Sequence, residues 1–310
     1  MAYADGSGTA QQVTLKPLPA VGVQFGSNNC AVRQSGGWVD VSGNCTVDGY
    51  DFNGIGIGNI LGSDVTISRS WFHNLGSGQG VLAIWTHDHG VVSGLTISDC
   101  LFNGEDAHSA PGSALRQVTQ ALFLSESTGG MTKSTFIRNT VYNAVGGIAY
   151  FGLAGTGDPM SNHLVQDNYF YNEFESDSQH SEWINMNGGS GGLLIKHNTF
   201  VTTLDEEAPF APAVYVTNDS GTPGNIVIDD NFIGGKANGG GHFPIFIGMT
   251  GGFTGIFRLT NNHFDISNGQ NPPGDGSHTF GTSTGALPSG SVISGNTLDN
   301  NGVLTPFTPH

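Results

Sequence analysis

Acidic residues of the chain concentrate in a few long segments that separate short apolar stretches. Hydrolysis of a glycosidic bond needs two carboxyl groups, one kept protonated as the acid and one acting as base or nucleophile. The segments 172–182 and 202–213 carry several such groups each. We therefore predict these candidate catalytic residues: Glu173, Glu175, Asp177, Glu182 and Glu207. The alternative interpretation is that these acidic loops are only solvated.

Large aromatic residues recur in six short apolar segments. These are "VLAIW" (81–85), "ALFL" (121–124), "GIAYF" (147–151), "WINMN" (183–187), "AVYV" (213–216) and "PIFI" (244–247). Alternate side chains of a strand face opposite sides of a sheet. The alternation predicts an outward column that contains Trp85, Phe123, Trp183, Tyr215 and Phe246.

Three interpretations of this column remain open, because a large exposed apolar patch usually marks an interface. The long loops fold over the aromatic rings, other subunits pack on them, or sugar rings stack on them. Under the third interpretation, Arg116 and His180 in neighbouring loops join the aromatic residues as candidate substrate-binding residues.

Metal and phosphate chemistry have weak support in the sequence. The stretch "WTHDHG" (85–90) brings His87, Asp88 and His89 together, but a fourth ligand is not located and a solvated turn is the preferred interpretation. Glycine-rich pieces such as "NGGSGG" (187–192) do not lead from a strand into a helix, so a phosphate-binding loop is unsupported. We expect neither a metal nor another cofactor.

A recurring strand, corner and strand must position these groups. The pattern of "LLIKHNTFVT" (193–202) returns along the chain with a period of roughly 31 residues, which is typical of a solenoid. Its apolar anchor positions are Val47, Ile67, Ile97, Phe136, Val165, Ile195, Ile228, Leu259 and Ile293.

Asparagine stands three residues after each of the last six anchors. The six are Asn139, Asn168, Asn198, Asn231, Asn262 and Asn296. Asparagine tolerates the left-handed backbone of a sharp corner, and stacked amides can hydrogen-bond to one another. With the apolar segments as third strands, the pattern predicts an all-β solenoid of three strands per coil, with one coil for each of the nine anchors.

With these strands and this asparagine column, residues 41–300 resemble the pectate-lyase-like superfamily of right-handed parallel β-helices, in architecture most of all the β-helix proteins of bacteriophage tails and tailspikes. The resemblance implies a working groove along the third strands. It is specific for the fold and weak for function, because the superfamily hosts lyases, hydrolases, epimerases and structural spikes. The pectate lyase pattern needs calcium-binding carboxylates on the groove strands, and the six third-strand segments contain no Asp or Glu.

The two ends differ from the repeat. Residues 1–40 lack it, so we expect them to cap the first coil or to attach the rod to other proteins. Residues 301–310 contain two prolines and are expected to end strand pairing after the last coil.

Charge and cysteine content restrict the partners and the compartment. A formal charge of −16 with only nine Lys and Arg argues against nucleic acid. No apolar run is long enough to span a membrane, and the first residues do not resemble a signal peptide. Cys100 is interpreted as a buried thiol, while a bridge between Cys30 and Cys45 is left open. The cysteine count favours assembly in a reducing cytoplasm over secretion.

Three function classes remain open. The favoured class is a bacteriophage tail or spike protein that is made in the host cytoplasm and carried on the virion. It contacts a cell-surface polysaccharide, and whether it also cleaves that polysaccharide is left open. The resemblance implies a homotrimer, with residues 1–40 facing other virion proteins. The second class is a secreted polysaccharide-degrading enzyme, a hydrolase rather than a lyase, and the third is a purely structural or decorating rod.

Overall fold

A computed structural model gives the fold of the chain. It describes residues 2–4, 10–75, 83–85, 92–103, 122–124, 131–144, 146–153, 162–173, 182–189, 191–202, 213–218, 221–235, 245–248, 255–265, 281–282, 288–300 and 303–306. No helix in these ranges is long and apolar enough to cross a membrane.

The described strands form three long sheets that wind around one core, which is a parallel β-helix as predicted. The first sheet has nine strands: Cys45–Asp48, Val65–Ser68, Val92–Ser98, Met131–Ile137, His163–Gln166, Leu193–Lys196, Ile226–Asp229, Phe257–Thr260 and Val292–Ser294.

The second sheet follows the corner after each strand of the first. Its eleven described strands are Lys16–Pro17, Tyr50–Asn53, Trp71–His73, Leu101–Asn103, Thr140–Ala144, Tyr169–Glu173, Thr199–Thr202, Phe232–Gly235, His263–Asp265, Thr297–Asn300 and Val303–Pro306.

The third sheet closes each coil and also has eleven described strands. They are Gln24–Phe25, Ala31–Arg33, Trp38–Val41, Gly56–Ile60, Ile84–Trp85, Leu122–Leu124, Ile148–Leu153, Ile184–Gly189, Val214–Thr217, Ile245–Gly248 and Gly281–Thr282. A short 3-10 helix, Ser27–Asn29, and an antiparallel pair, Ala2–Ala4 with Ala10–Gln12, lie outside the sheets.

The nine predicted anchors stack in register along the first sheet. Each is the direct neighbour of the next, for example Val165 of Ile195 and Ile195 of Ile228. Their side chains point inward with those of the second and third sheets and form one continuous core. Since each coil buries its apolar face only against adjacent coils, the core extends along the whole rod.

The predicted asparagine column is confirmed as a chain of buried amides. The side-chain amide of Asn139 donates to Asn168 Oδ1 at 3.1 Å, and each later amide donates to the next one at 2.9 to 3.0 Å, as far as Asn296. Each amide also donates to a first-sheet carbonyl of the preceding coil, such as that of Val165 for Asn198, at 2.9 Å. The column therefore ties the corners of successive coils together.

Cys100 continues this column where the asparagines stop. Its backbone N–H donates to Asn139 Oδ1 at 2.9 Å, and its thiol lies 3.7 Å from the carbonyl of Ile67. Burial raises the pKa of the Cys100 thiol to about 12. The interpretation of Cys100 as a buried thiol is confirmed.

The left-handed residue of each corner stands one position before the asparagine column. These residues have φ between 49° and 73°: Gly49, Arg69, Asp99, Arg138, Asp167, His197, Asp230, Asn261 and Gly295. The expectation that the asparagines themselves adopt this conformation was wrong. Their role is hydrogen bonding between coils, while the preceding residue makes the turn.

Ion pairs between neighbouring coils run beside these corners. Arg138 donates two hydrogen bonds to Asp99, both of 2.8 Å, and Arg69 pairs in the same manner with Asp48. Lys196 lies 3.5 Å from Asp229. Arg69 and Arg138 make these contacts from a left-handed backbone that arginine rarely adopts.

The corner carboxylates make stability depend on acid. Burial raises the pKa of Asp48. Hydrogen bonds from Arg69 and Ser68 and the charge of Arg69 lower it by more than burial raises it, so the pKa of Asp48 lies below the ordinary 3.8. A carboxyl group whose pKa is lower in the folded than in the unfolded protein stabilises the fold. Its full contribution is present above the pKa of the unfolded state and is lost as the pH falls through the pKa of the folded state. We expect thermal melting curves to show a loss of stability below about pH 4 that is smaller in Asp48→Asn. Equal acid profiles of the two proteins would contradict this.

Both ends of the rod are built differently from the repeat. At the N-terminal end, the strand Trp38–Val41 pairs in parallel with Gly56–Ile60 but in antiparallel fashion with Ala31–Arg33, so the third sheet continues into the first 40 residues. At the C-terminal end, Val303–Pro306 pairs antiparallel with Thr297–Asn300. The expectation that residues 301–310 end strand pairing was therefore wrong, because the chain folds back and covers the last strand of the second sheet.

The bridge left open by the sequence is present. Cys30 and Cys45 form a disulfide with Cα atoms 5.6 Å apart. It joins the N-terminal segment to the first strand of the first sheet.

Candidate functional site

The outer face of the third sheet carries Trp85 and Tyr215 of the predicted aromatic column. Backbone register places these residues side by side in successive strands: Trp85, Phe123, Ala149, Asn185, Tyr215 and Phe246. Their inward neighbours, such as Ile84 and Ile184, are fully buried. Trp85 is 37% exposed and Tyr215 is half-buried, while only the backbone of Phe123 and Phe246 is described.

Trp183 does not belong to this column, and its predicted outward position was wrong. Its side chain is 1% exposed, and its ring packs on Phe170 of the core with centroids 5.5 Å apart. Trp183 precedes the strand Ile184–Gly189, at the corner place that Ala213 holds in the next coil. At that corner the alternation of the strand does not apply, so the indole turns inward. Asn185 takes its place in the column.

A cluster of polar side chains occupies the middle of the face. We call it the polar cluster, and it consists of Glu182, Asn185, Asn187 and Thr217. Glu182, Asn185 and Thr217 are 3%, 7% and 5% exposed, although Asn185 and Thr217 stand at outward strand positions. The amide nitrogen of Asn185 donates to Glu182 Oε2 at 3.0 Å, and Asn187 is the direct strand neighbour of Thr217.

Two oxygen atoms of the polar cluster lack partners. Within the described residues, Asn185 Oδ1 and Thr217 Oγ1 are buried and make no hydrogen bond. Because the amide nitrogen of Asn185 faces the Glu182 carboxylate, its oxygen is the atom left over. A buried polar atom without a partner costs about 1 to 3 kcal/mol. The cluster therefore offers unused hydrogen-bonding capacity that a ligand with hydroxyl or amide groups can satisfy.

Of the five predicted carboxylates, only Glu182 is described in this cluster. Glu173 ends a second-sheet strand beside Ala144, and its side chain is not described. The remaining predicted site residues lie outside the described ranges: Glu175, Asp177, Glu207, Arg116 and His180. The stretch 87–89, interpreted as a solvated turn, also lies outside them. In the described part of the chain, no group of three or more His, Cys, Asp or Glu could hold a metal ion.

The sequence prediction missed the amides and the threonine of the cluster. Two of them, Asn185 and Asn187, occupy outward positions of "WINMN" (183–187). The third, Thr217, follows "AVYV" (213–216) and continues its outward side. The sequence did contain a signal for them. At outward positions where neighbouring strands carry aromatic residues, these strands carry polar ones. Their burial could not be predicted, since alternation gives the direction of a side chain and not what covers it.

Comparisons with known proteins give one structural match. No family model matches the chain, and no curated protein matches it. Among solved structures, the chain is similar to a double mutant of the tailspike protein of E. coli bacteriophage HK620, with 13% sequence identity and a TM-score of 0.46. The match covers 84% of this chain and 43% of that chain. This chain therefore spans less than half the length of that tailspike.

Proposed function

We propose that this protein binds a polysaccharide along the outer face of the third sheet. The observation that carries the proposal is a pair of buried oxygen atoms, on Asn185 and Thr217, that find no hydrogen-bond partner among the described residues and lie beside the buried Glu182 carboxylate. Ligand sites combine aromatic and apolar surface with a few polar groups that fix orientation. Trp85 and Tyr215 in the same column provide aromatic surface on either side of the cluster.

The layout of the face suits a polymer. Neighbouring strands lie about 4.8 Å apart, so equivalent residues of successive coils form a row along the rod. A sugar ring presents an apolar face to an aromatic ring and hydroxyl groups to amides and carboxylates. A chain of sugars lying along the row meets both kinds of group in turn.

Charge restricts the class of sugar. Glu182 and Asn185 Oδ1 offer hydrogen-bond acceptors, which pair with hydroxyl, amide or ammonium groups of a ligand. The formal charge of −16 repels acidic polymers at long range. Neutral sugars and amino sugars fit these groups better than uronic acids do.

The proposal includes the setting that the sequence favours. The polysaccharide is a bacterial surface glycan, and the rod is a homotrimeric component of a phage tail or spike that residues 1–40 join to other virion proteins. Two features support this setting. The N-terminal segment is built differently from the repeat, and Tyr169 on the second sheet is 41% exposed and stacks with Tyr171, which suits a contact between subunits.

A second candidate function is hydrolysis of the bound glycan. The observation that favours it is the Glu182 carboxylate, which is 3% exposed on the substrate face. A carboxyl group held in place by a donor, as Glu182 is by Asn185, can transfer a proton to or from a bound substrate. The second carboxylate that hydrolysis needs would come from the other predicted residues, Glu173, Glu175, Asp177 or Glu207.

A panel of bacterial surface polysaccharides tests both functions. We expect the purified protein to bind at least one neutral or amino-sugar polymer, measured by calorimetry. Hydrolysis would release new reducing ends without the ultraviolet absorbance of unsaturated uronates. Failure to bind any neutral or amino-sugar polymer of a broad panel, or binding restricted to uronate polymers, would contradict the proposal.

A further inference from the structure

A tryptophan of the N-terminal segment lies on the same face as the aromatic column. Trp38 begins the strand Trp38–Val41, which pairs with Gly56–Ile60, and that strand pairs with Ile84–Trp85. Val39 and Ile57 point into the core and are fully buried. Trp38 therefore projects from the outer face of the third sheet, two strands or about 10 Å from Trp85 across the sheet, but level with Gly56 and hence two residues earlier along its strand.

The indole of Trp38 is held in place at its polar edge. Its Nε1 donates to Asp40 Oδ1 at 3.1 Å. The Asp40 carboxylate also accepts hydrogen bonds from Gln34 at 2.7 Å and from Asn59 at 2.5 Å. With three donors around it, the carboxylate is fixed, and it fixes the ring in turn.

Two glycines make room for the ring. A Cβ on Gly36 would come within 2.0 Å of the Trp38 ring, and a Cβ on Gly58 within 2.7 Å. Neither glycine has a positive φ, so the backbone does not demand glycine at these positions. Any other residue at either position would displace the indole. Despite this support, the side chain remains 41% exposed.

We infer that Trp38 is a sugar-stacking subsite that extends the polysaccharide row onto the N-terminal segment. The inference rests on the proposed function. A ring that is exposed yet held in one orientation loses little entropy when a ligand stacks on it. A tryptophan in this position suits the apolar face of a sugar. Its indole lies against Gly58, the residue after the strand partner of Ile84, and so brings that sugar toward Trp85 and the path of a chain bound at the polar cluster.

Oligosaccharides of increasing length, prepared from the polymer that binds, test this subsite. The variants are Trp38→Ala and Trp38→Phe, and each is first shown by thermal melting to be folded. We expect Trp38→Ala to weaken binding of long oligosaccharides roughly five- to tenfold and to leave short ones unchanged, with Trp38→Phe retaining part of the effect. This pattern is not expected of a residue with a purely structural role.

The outcomes separate this inference from the proposed function. Equal affinities of wild type and Trp38→Ala at every length would overturn the subsite while leaving the site at Asn185 standing. An equal loss of affinity at all oligosaccharide lengths would assign Trp38 a structural role. Dissociation of an oligomer on substitution would assign Trp38 to a contact between copies of the chain. Either result also overturns the subsite. Absence of any binding by the wild type would remove the proposed function itself.

Discussion

Replacing Asn198 by alanine is expected to lower the free energy of unfolding by about 3 to 5 kcal/mol. The side-chain amide donates to the carbonyl of Val165 at 2.9 Å and to Asn231 Oδ1 at 3.0 Å, while its oxygen accepts the backbone N–H of Asn168 at 3.0 Å. Alanine leaves these buried groups without partners, at about 1 to 3 kcal/mol each. The melting temperature should fall by roughly 10 °C, measured by circular dichroism.

The matched control is Thr199→Ala, the next residue and half-buried. It should cost less than about 1 kcal/mol, because it removes no member of the amide column. If Asn198→Ala were no more destabilising than Thr199→Ala, the column would not be what holds the corners together.

Replacing Asn185 by alanine is expected to weaken polysaccharide binding by about 10- to 100-fold. The substitution removes the oxygen that is left for the ligand and the amide that holds Glu182 Oε2 at 3.0 Å. The ligand loses its hydrogen bond to Asn185, and the Glu182 carboxylate loses a donor. Together these losses account for a change of this size. Calorimetric titration of the binding polymer measures it directly.

Asn103 provides a control of the same residue type and similar burial. It is 8% exposed and belongs to the second sheet, away from the proposed site. We expect Asn103→Ala to bind the polymer as the wild type does. Equal losses in both variants would point to a general effect on folding rather than to a site on the third sheet.

The fold could be predicted from the sequence because burial in a solenoid repeats with the chain. Ile195 and its eight equivalents keep one register since a slip by one residue would turn the apolar side chains outward. Stacked amides such as those of Asn198 and Asn231 need identical positions in successive coils, so they too appear as a period. The left-handed corner was placed one residue too late because in several coils an Asp or Asn directly precedes the column asparagine, for example Asp167 before Asn168.

The site could be predicted only in part. Trp85 and Tyr215 follow strand alternation and were found, whereas Trp183 stands at a corner, where alternation fails. Trp38 was missed because its strand lies outside the repeat and joins the sheet through a register shift between Val39 and Asp40. The acidic loops have no period, so their residues could be proposed as a group but not arranged in space.

The position of a bound oligosaccharide tests the account most directly. A structure of the protein with a fragment of the binding polymer should show the sugar over the third sheet, between Trp85 and Tyr215, with hydrogen bonds to Asn185 Oδ1 and Thr217 Oγ1. Sugar density over the second sheet instead, for example on Tyr169 and Tyr171, would contradict the account and leave the polar cluster without a ligand.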